Sequence, residues 1–200
     1  MSLRLFRRAV PALLSGLILA SCQPTPPRIG HPQISYAHLA PISLDVGQIE
    51  VATEYQAPLG PPHVDHLAPT PPAEAARRWA LDRLRAVGTT GTLRVVIKDA
   101  SIVEVPLPRT SGGGVRGAMT RDQSERYDGR LVVELVIDQP SRRYHGFTGA
   151  TVARSMSVPE DVSVAGREDV WFTITQQMLT NLNTQLEQGI QNNLAAITLK

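Results

Sequence analysis

The chain has 200 residues and 21.7 kDa, room for one ordinary domain. Hydrophobic residues make up 42% and charged residues 19%, which excludes a disordered charged tail and a coiled coil. The formal charge of +2 does not mark a nucleic-acid binder: Arg4, Arg7 and Arg8 lie in the leader, and beyond residue 21 there remain 17 basic against 18 acidic side chains. The single cysteine excludes an internal disulfide and a multi-cysteine zinc site.

The first element is a leader. Met1 to Arg8 is short and basic, and Ala9 to Ala20 is an apolar run interrupted by Pro11, Ser15 and Gly16. A run of that length falls short of the ~20 apolar residues needed to span a bilayer, and it fits the core of a secretory signal peptide. It ends in Leu19-Ala20-Ser21-Cys22. This resembles the lipobox of bacterial lipoproteins: an aliphatic residue, two small residues, then cysteine. The resemblance implies that Leu19, Ala20 and Ser21 are read by a signal peptidase, that residues 1–21 are removed, and that Cys22 carries the acyl chains of a membrane anchor. Two or three chains on one residue hold firmly where a single one holds marginally. Gln23 stands where an Asp commonly signals inner-membrane retention, so the reading favours the outer membrane, facing the periplasm.

Eleven of the sixteen prolines lie between Cys22 and Pro72. Residues 22–42 read as a lipid-anchored, extended proline-rich tether. Residues 43–200 read as one α+β domain with a second proline-rich insertion at 56–72. In chain order, Ser43 to Thr53 is a predicted strand broken at Gly47. Thr70 as N-cap, Pro71 in the first turn and Gly88 as stop frame a helix with the stripe Ala73, Ala76, Ala80, Leu84 and Val87, flanked by Trp79 and Leu81. Leu93, Val95 and Ile97 alternate in a strand continuing to Val105. Residues 106–124 read as a long loop, Arg130 to Asp138 as the clearest strand, 139–143 as a turn, and Tyr144 to Val158 as a weaker strand. From Val170 to Ile197, Trp171, Ile174, Met178, Leu182, Leu186, Ile190, Leu194 and Ile197 recur at intervals of three and four. That spacing predicts one amphipathic helix of about 30 residues, or about 45 Å. The order β-α-β-β-β-α predicts an antiparallel sheet with two helices packed on one face.

Motifs for chemistry are few. Gly112 to Gly117 matches G-x-G-x-x-G, but prolines precede it and no helical pattern follows, so it reads as loop. His63, Asp65 and His66 are metal-capable, yet between Pro62 and Pro69 they read as exposed linker residues in preference to a metal site. His145 reads as an edge or surface residue. No catalytic residue, metal or other cofactor is assigned. Arg77, Arg78, Arg83 and Arg85, with Arg142 and Arg143, would make basic patches toward anionic headgroups or lipopolysaccharide. The simpler reading is a solvated face alternating with Glu74 and Asp82. The outer face of the last helix carries one charge, Glu187, and many amides. Gln176, Asn181, Gln185, Gln188 and Asn192 are its candidate partner surface, against a plainly solvated face as the simpler reading.

The layout over residues 43–197 resembles auxiliary lipoproteins of envelope lipid-transport or lipopolysaccharide-assembly systems. The resemblance implies a non-enzymatic adapter with an envelope protein partner. The proline-rich insertion departs from that layout. The alternative is a periplasm-facing module that binds a small amphiphile or cell-wall fragment between the sheet and the 106–124 loop. An apolar pocket lined by both helices and open under that loop would distinguish it.

Overall fold

A computed structural model describes residues 30–108 and 123–199. The chain runs β1 (Ile42–Leu44), β2 (Gln48–Thr53), α1 (Pro72–Arg83), β3 (Leu84–Ala86), β4 (Thr92–Pro106), β5 (Gln123–Gln139), β6 (Tyr144–Pro159), α2 (Val164–Asn193) and β7 (Thr198–Leu199). The architecture is α+β with two sheets. The main one has the order β2-β4-β5-β6, and a small one the order β3-β1-β7.

The main sheet is mixed, which corrects the antiparallel expectation. β2 and β4 run parallel, with Gln48 opposite Thr92 and Thr53 opposite Ile97, while the β4/β5 and β5/β6 pairs are antiparallel. The reason is the crossover: with α1 between them, β2 and β4 enter the sheet from the same end. The break at Gly47 is also more than a bulge. It divides the predicted strand into β1 and β2, which join different sheets. The strand order expected from β-α-β-β-β-α is replaced accordingly.

α1 ends five residues before the predicted stop. Leu84 turns extended, at φ −108° and ψ 135°, and Leu84 to Ala86 pair in parallel with Ile42 to Leu44. The helical stripe continues to Val87 in sequence, but pairing with β1 overrides it. Gly88 serves another purpose: a Cβ there would lie 2.7 Å from the carbonyl carbon of Asp45, so only glycine lets the two chains pass.

The core lies between the main sheet and the two helices. Leu93, Val95 and Ile97 point inward from β4. A register shift between Ile97 and Asp99 then changes the parity, so that Ala100 and Ile102 keep the same face buried. Leu131, Val133, Leu135 and Ile137 continue the layer on β5. α2 covers it with Ile174, Met178, Leu182, Leu186 and Ile190, each fully buried and each contributing about 1.5–3 kcal/mol. Its N-cap is Ser163, whose Oγ accepts from Gly166 N. α2 crosses β5 closely at Gly129, where a Cβ would fall 2.5 Å from Ile174 Cγ2.

Gln139, at the end of β5, ties the two sheets together. Its Nε2 donates to the carbonyls of Asp45 (2.7 Å) and Thr90 (2.9 Å), and its Oε1 accepts from the Thr90 and Ser141 hydroxyls. A buried amide with these partners met avoids the penalty of an unpaired polar group and specifies the junction.

Candidate functional site

Leu19, Ala20, Ser21 and Cys22 lie outside the described residues, as do residues 112–117. The proline-rich stretch after Cys22, expected to be an extended tether as far as residue 42, is described from Gly30, and from His31 it is seated on the helices. His31 Nε2 donates to Asp169 at 2.8 Å, and its ring packs on Phe172 at a centroid distance of 4.8 Å. Ile34 is buried in the core. Asp82 Oδ2 accepts from both Ser35 Oγ and Tyr36 N at 2.8 Å. The Arg83 guanidinium donates to the carbonyl of Ala40. Residues 31–40 therefore bridge α1 and α2.

Arg83 is the centre of this arrangement. It is 3% exposed, which corrects the reading of Arg77, Arg78, Arg83 and Arg85 as a solvated face and, equally, as a basic patch. Its Nε donates to Asn183 Oδ1 at 3.1 Å, and its Nη2 lies 3.2 Å from Glu187. Trp79 Nε1 donates to the same Asn183 oxygen at 2.9 Å. A buried cation is tolerable because a carboxylate, an amide and a carbonyl surround it. Asn183 thus belongs to the junction between helices, although in sequence it is one amide among many.

The five predicted contact residues do not form one row. At about 100° per residue, Asn181, Gln185, Gln188 and Asn192 fall within a sector of about 60°. Gln176 is turned at least about 120° away from them, toward the cleft against residues 32–39. Gln185, Gln188 and Asn192 are exposed. Asn181 is half-buried, its amide oxygen facing the guanidinium of Arg154 on β6. The buried stripe explains the split: from Ile174 to Leu194 it advances by four residues at each step, so it winds around the helix and carries the exposed face with it.

Three concavities are relevant. One of about 560 Å³ lies between residues 31–34 and α1, with Arg77, Arg78 and Leu81 on its wall. A second, of about 470 Å³, lies between residues 32–39 and α2 and includes Gln176 and Thr180. A third, of about 440 Å³, is walled by Leu59, Pro61, Pro62, Val64 and Leu67 of the insertion with Pro106 of β4. The third is the apolar one, and neither helix lines it.

That third cavity exists because the insertion is not a free linker. Val64 N donates to Ile102 O at 2.9 Å and Glu104 N to Pro62 O at 2.8 Å, so the insertion satisfies the β4 edge beyond the end of β2. Asp65 is only 3% exposed, which overturns the reading of exposed linker residues at that position. It accepts from Tyr55 Oη at 3.1 Å, and burial, followed by the charge of Asp65, pushes the Tyr55 phenol above its ordinary range. The Nδ1 atoms of His63 and His66 are buried without hydrogen-bond partners. Among the described residues no three metal-capable side chains are grouped to hold an ion. His145 sits on the surface beside Asp138, 3.3 Å away.

No protein-family model matches the chain. No curated protein matches it either. Solved structures similar to it include rare lipoprotein B from Shewanella oneidensis, 12% identical over 70% of this chain and 92% of that one, with a TM-score of 0.36. A minor lipoprotein from Acinetobacter baumannii is 10% identical over 78% and 98%, with a TM-score of 0.35. Scores this low do not establish a shared fold.

Proposed function

We propose that this chain is a lipid-anchored protein of the bacterial cell envelope, held at the outer membrane by acyl chains on Cys22, whose domain is a non-enzymatic docking subunit for an envelope complex. The leader and Cys22 support the anchor. No helix among the described residues is long and apolar enough to cross a membrane. The observation that carries the docking role is the exposed, uncharged row Gln185, Gln188 and Asn192 on a helix that Arg83 and Asn183 lock in place. A rigid amide row offers hydrogen bonds to a partner without the cost of stripping water from charges.

Two measurements test this. Cys22→Ser leaves a longer precursor that takes up no labelled palmitate; normal labelling of that variant sinks the anchor. A photo-crosslinking residue at Gln185 or Gln188 gives discrete adducts in intact cells, while one at the exposed Thr151 on β6 does not. Equal patterns at all three positions sink the docking role.

The apolar cavity walled by Pro61, Pro62 and Leu67 is not the helix-lined pocket expected of an amphiphile-binding module, so that second reading stands only with the site moved to the insertion. Native mass spectrometry of the gently extracted protein checks it: a bound small molecule supports it, and the bare protein mass counts against it.

A further inference from the structure

We propose that the cleft between residues 31–34 and α1 binds the phosphate of an anionic lipid headgroup through Arg77 and Arg78. This rests on the membrane-anchor reading for its choice of ligand. The first observation is charge. Arg83, Arg94, Arg126, Arg130, Arg142 and Arg167 each lie against a carboxylate. Arg77 and Arg78, like Arg85, Arg143 and Arg154, form no ion pair with any described residue, and they are the two of these that share a cleft. Arg77 makes only a 3.5 Å contact to the Val51 carbonyl, and Arg78 turns its Nε and Nη2 to the Gln33 amide oxygen at 3.2 and 3.1 Å. Among the described residues each guanidinium keeps N–H donors without a partner, and paired N–H donors match phosphate oxygens in geometry.

The second observation is shape. Both arginines are exposed on the wall of a cleft of about 560 Å³, large enough for a glycerophosphate group. Leu81 lies on the same wall and is 65% exposed, apolar surface suited to the start of an acyl chain. Glu74 also lines it, so the two cations are only half offset.

The third observation is position. His31 lines the cleft, and eight residues, nine Cα–Cα steps, separate it from Cys22 in sequence. Fully extended, that length spans at most about 30 Å. An anchored chain therefore keeps the cleft within reach of the bilayer surface, where anionic headgroups are concentrated.

The test uses the full-length mature protein in neutral detergent, with Thr70→Cys carrying an environment-sensitive dye at the cleft. It is titrated with dihexanoyl phosphatidylglycerol, dihexanoyl phosphatidylcholine or inorganic phosphate. We expect the anionic lipid to bind at least tenfold more tightly than the neutral one. Arg77→Gln with Arg78→Gln loses at least tenfold in that affinity, and Glu74→Gln gains. These side chains are exposed, and an unchanged melting temperature confirms that the variants fold. Equal binding of the two lipids, or no loss in the double variant, overturns the proposal. Inorganic phosphate binding as tightly as the anionic lipid overturns the lipid as the source. Dye stoichiometry reads the anchor separately: one dye per chain reports a blocked Cys22, and two report a free thiol and sink the anchor while the titration still judges the cleft.

Discussion

At the scale of single residues, Arg83 and two phenols decide how the molecule responds to change. Arg83 is surrounded by Asn183, Glu187 and the Ala40 carbonyl. Arg83→Met keeps much of the volume but strands these acceptors, and we expect a loss of about 3 kcal/mol in urea unfolding. A loss below about 1 kcal/mol, the worth of a surface pair, would contradict its central role. The phenols respond to pH. Burial first, and then the neighbouring carboxylates of Asp65 and Glu125, raise Tyr55 and Tyr127 above the ordinary value of 10.0. A raised value means the neutral phenol is the form the fold prefers, so its contribution is complete below pH 10 and lost as pH rises beyond it. The urea midpoint should fall above about pH 10, with phenolate absorbance lagging behind that of the unfolded chain. Absorbance that coincides in the two states would refute this.

At the scale of elements, close packing is the constraint. Gly129→Ala would push a methyl against Ile174 and Met178, at an expected cost of about 1–3 kcal/mol. A thermal midpoint equal to that of the parent would show that α2 can shift aside. The long helix was legible because periodicity over some 30 residues outweighs local noise; it runs from Val164 to Asn193, offset from the predicted Val170 to Ile197. The second half of β5, from Arg130, was legible because Leu131, Val133, Leu135 and Ile137 fall on one face; its first half, from Gln123, was not. The end of α1 was not, since Leu84 fits a helical stripe and only β1, some forty residues earlier in sequence, makes it extended. The same holds for the site. Asn183 carries no local mark separating it from Asn181 or Gln185; its partners Trp79 and Arg83 lie about a hundred residues away. Asp65 looked like linker because the proline-rich run around it gives no sign of the strand edge it completes.

At the scale of the whole molecule, the seated segment sets what is rigid. Asp82 holds Ser35 and Tyr36 through one carboxylate oxygen. Asp82→Ala should raise amide exchange across residues 33–38 at least tenfold while leaving β5 protected. Unchanged exchange there would mean that Ile34 and the contacts of His31, Gln33 and Ala40 hold the segment without Asp82. The small sheet has a different consequence, one of timing. β1 lies between β3 and β7, and its Ser43 faces Leu199. At ~5–20 residues per second, a ribosome reaches β7 roughly 8 to 30 s after β1 has been made. Through that interval one side of β1 has no neighbour, so the domain closes only once nearly all of it has been synthesised.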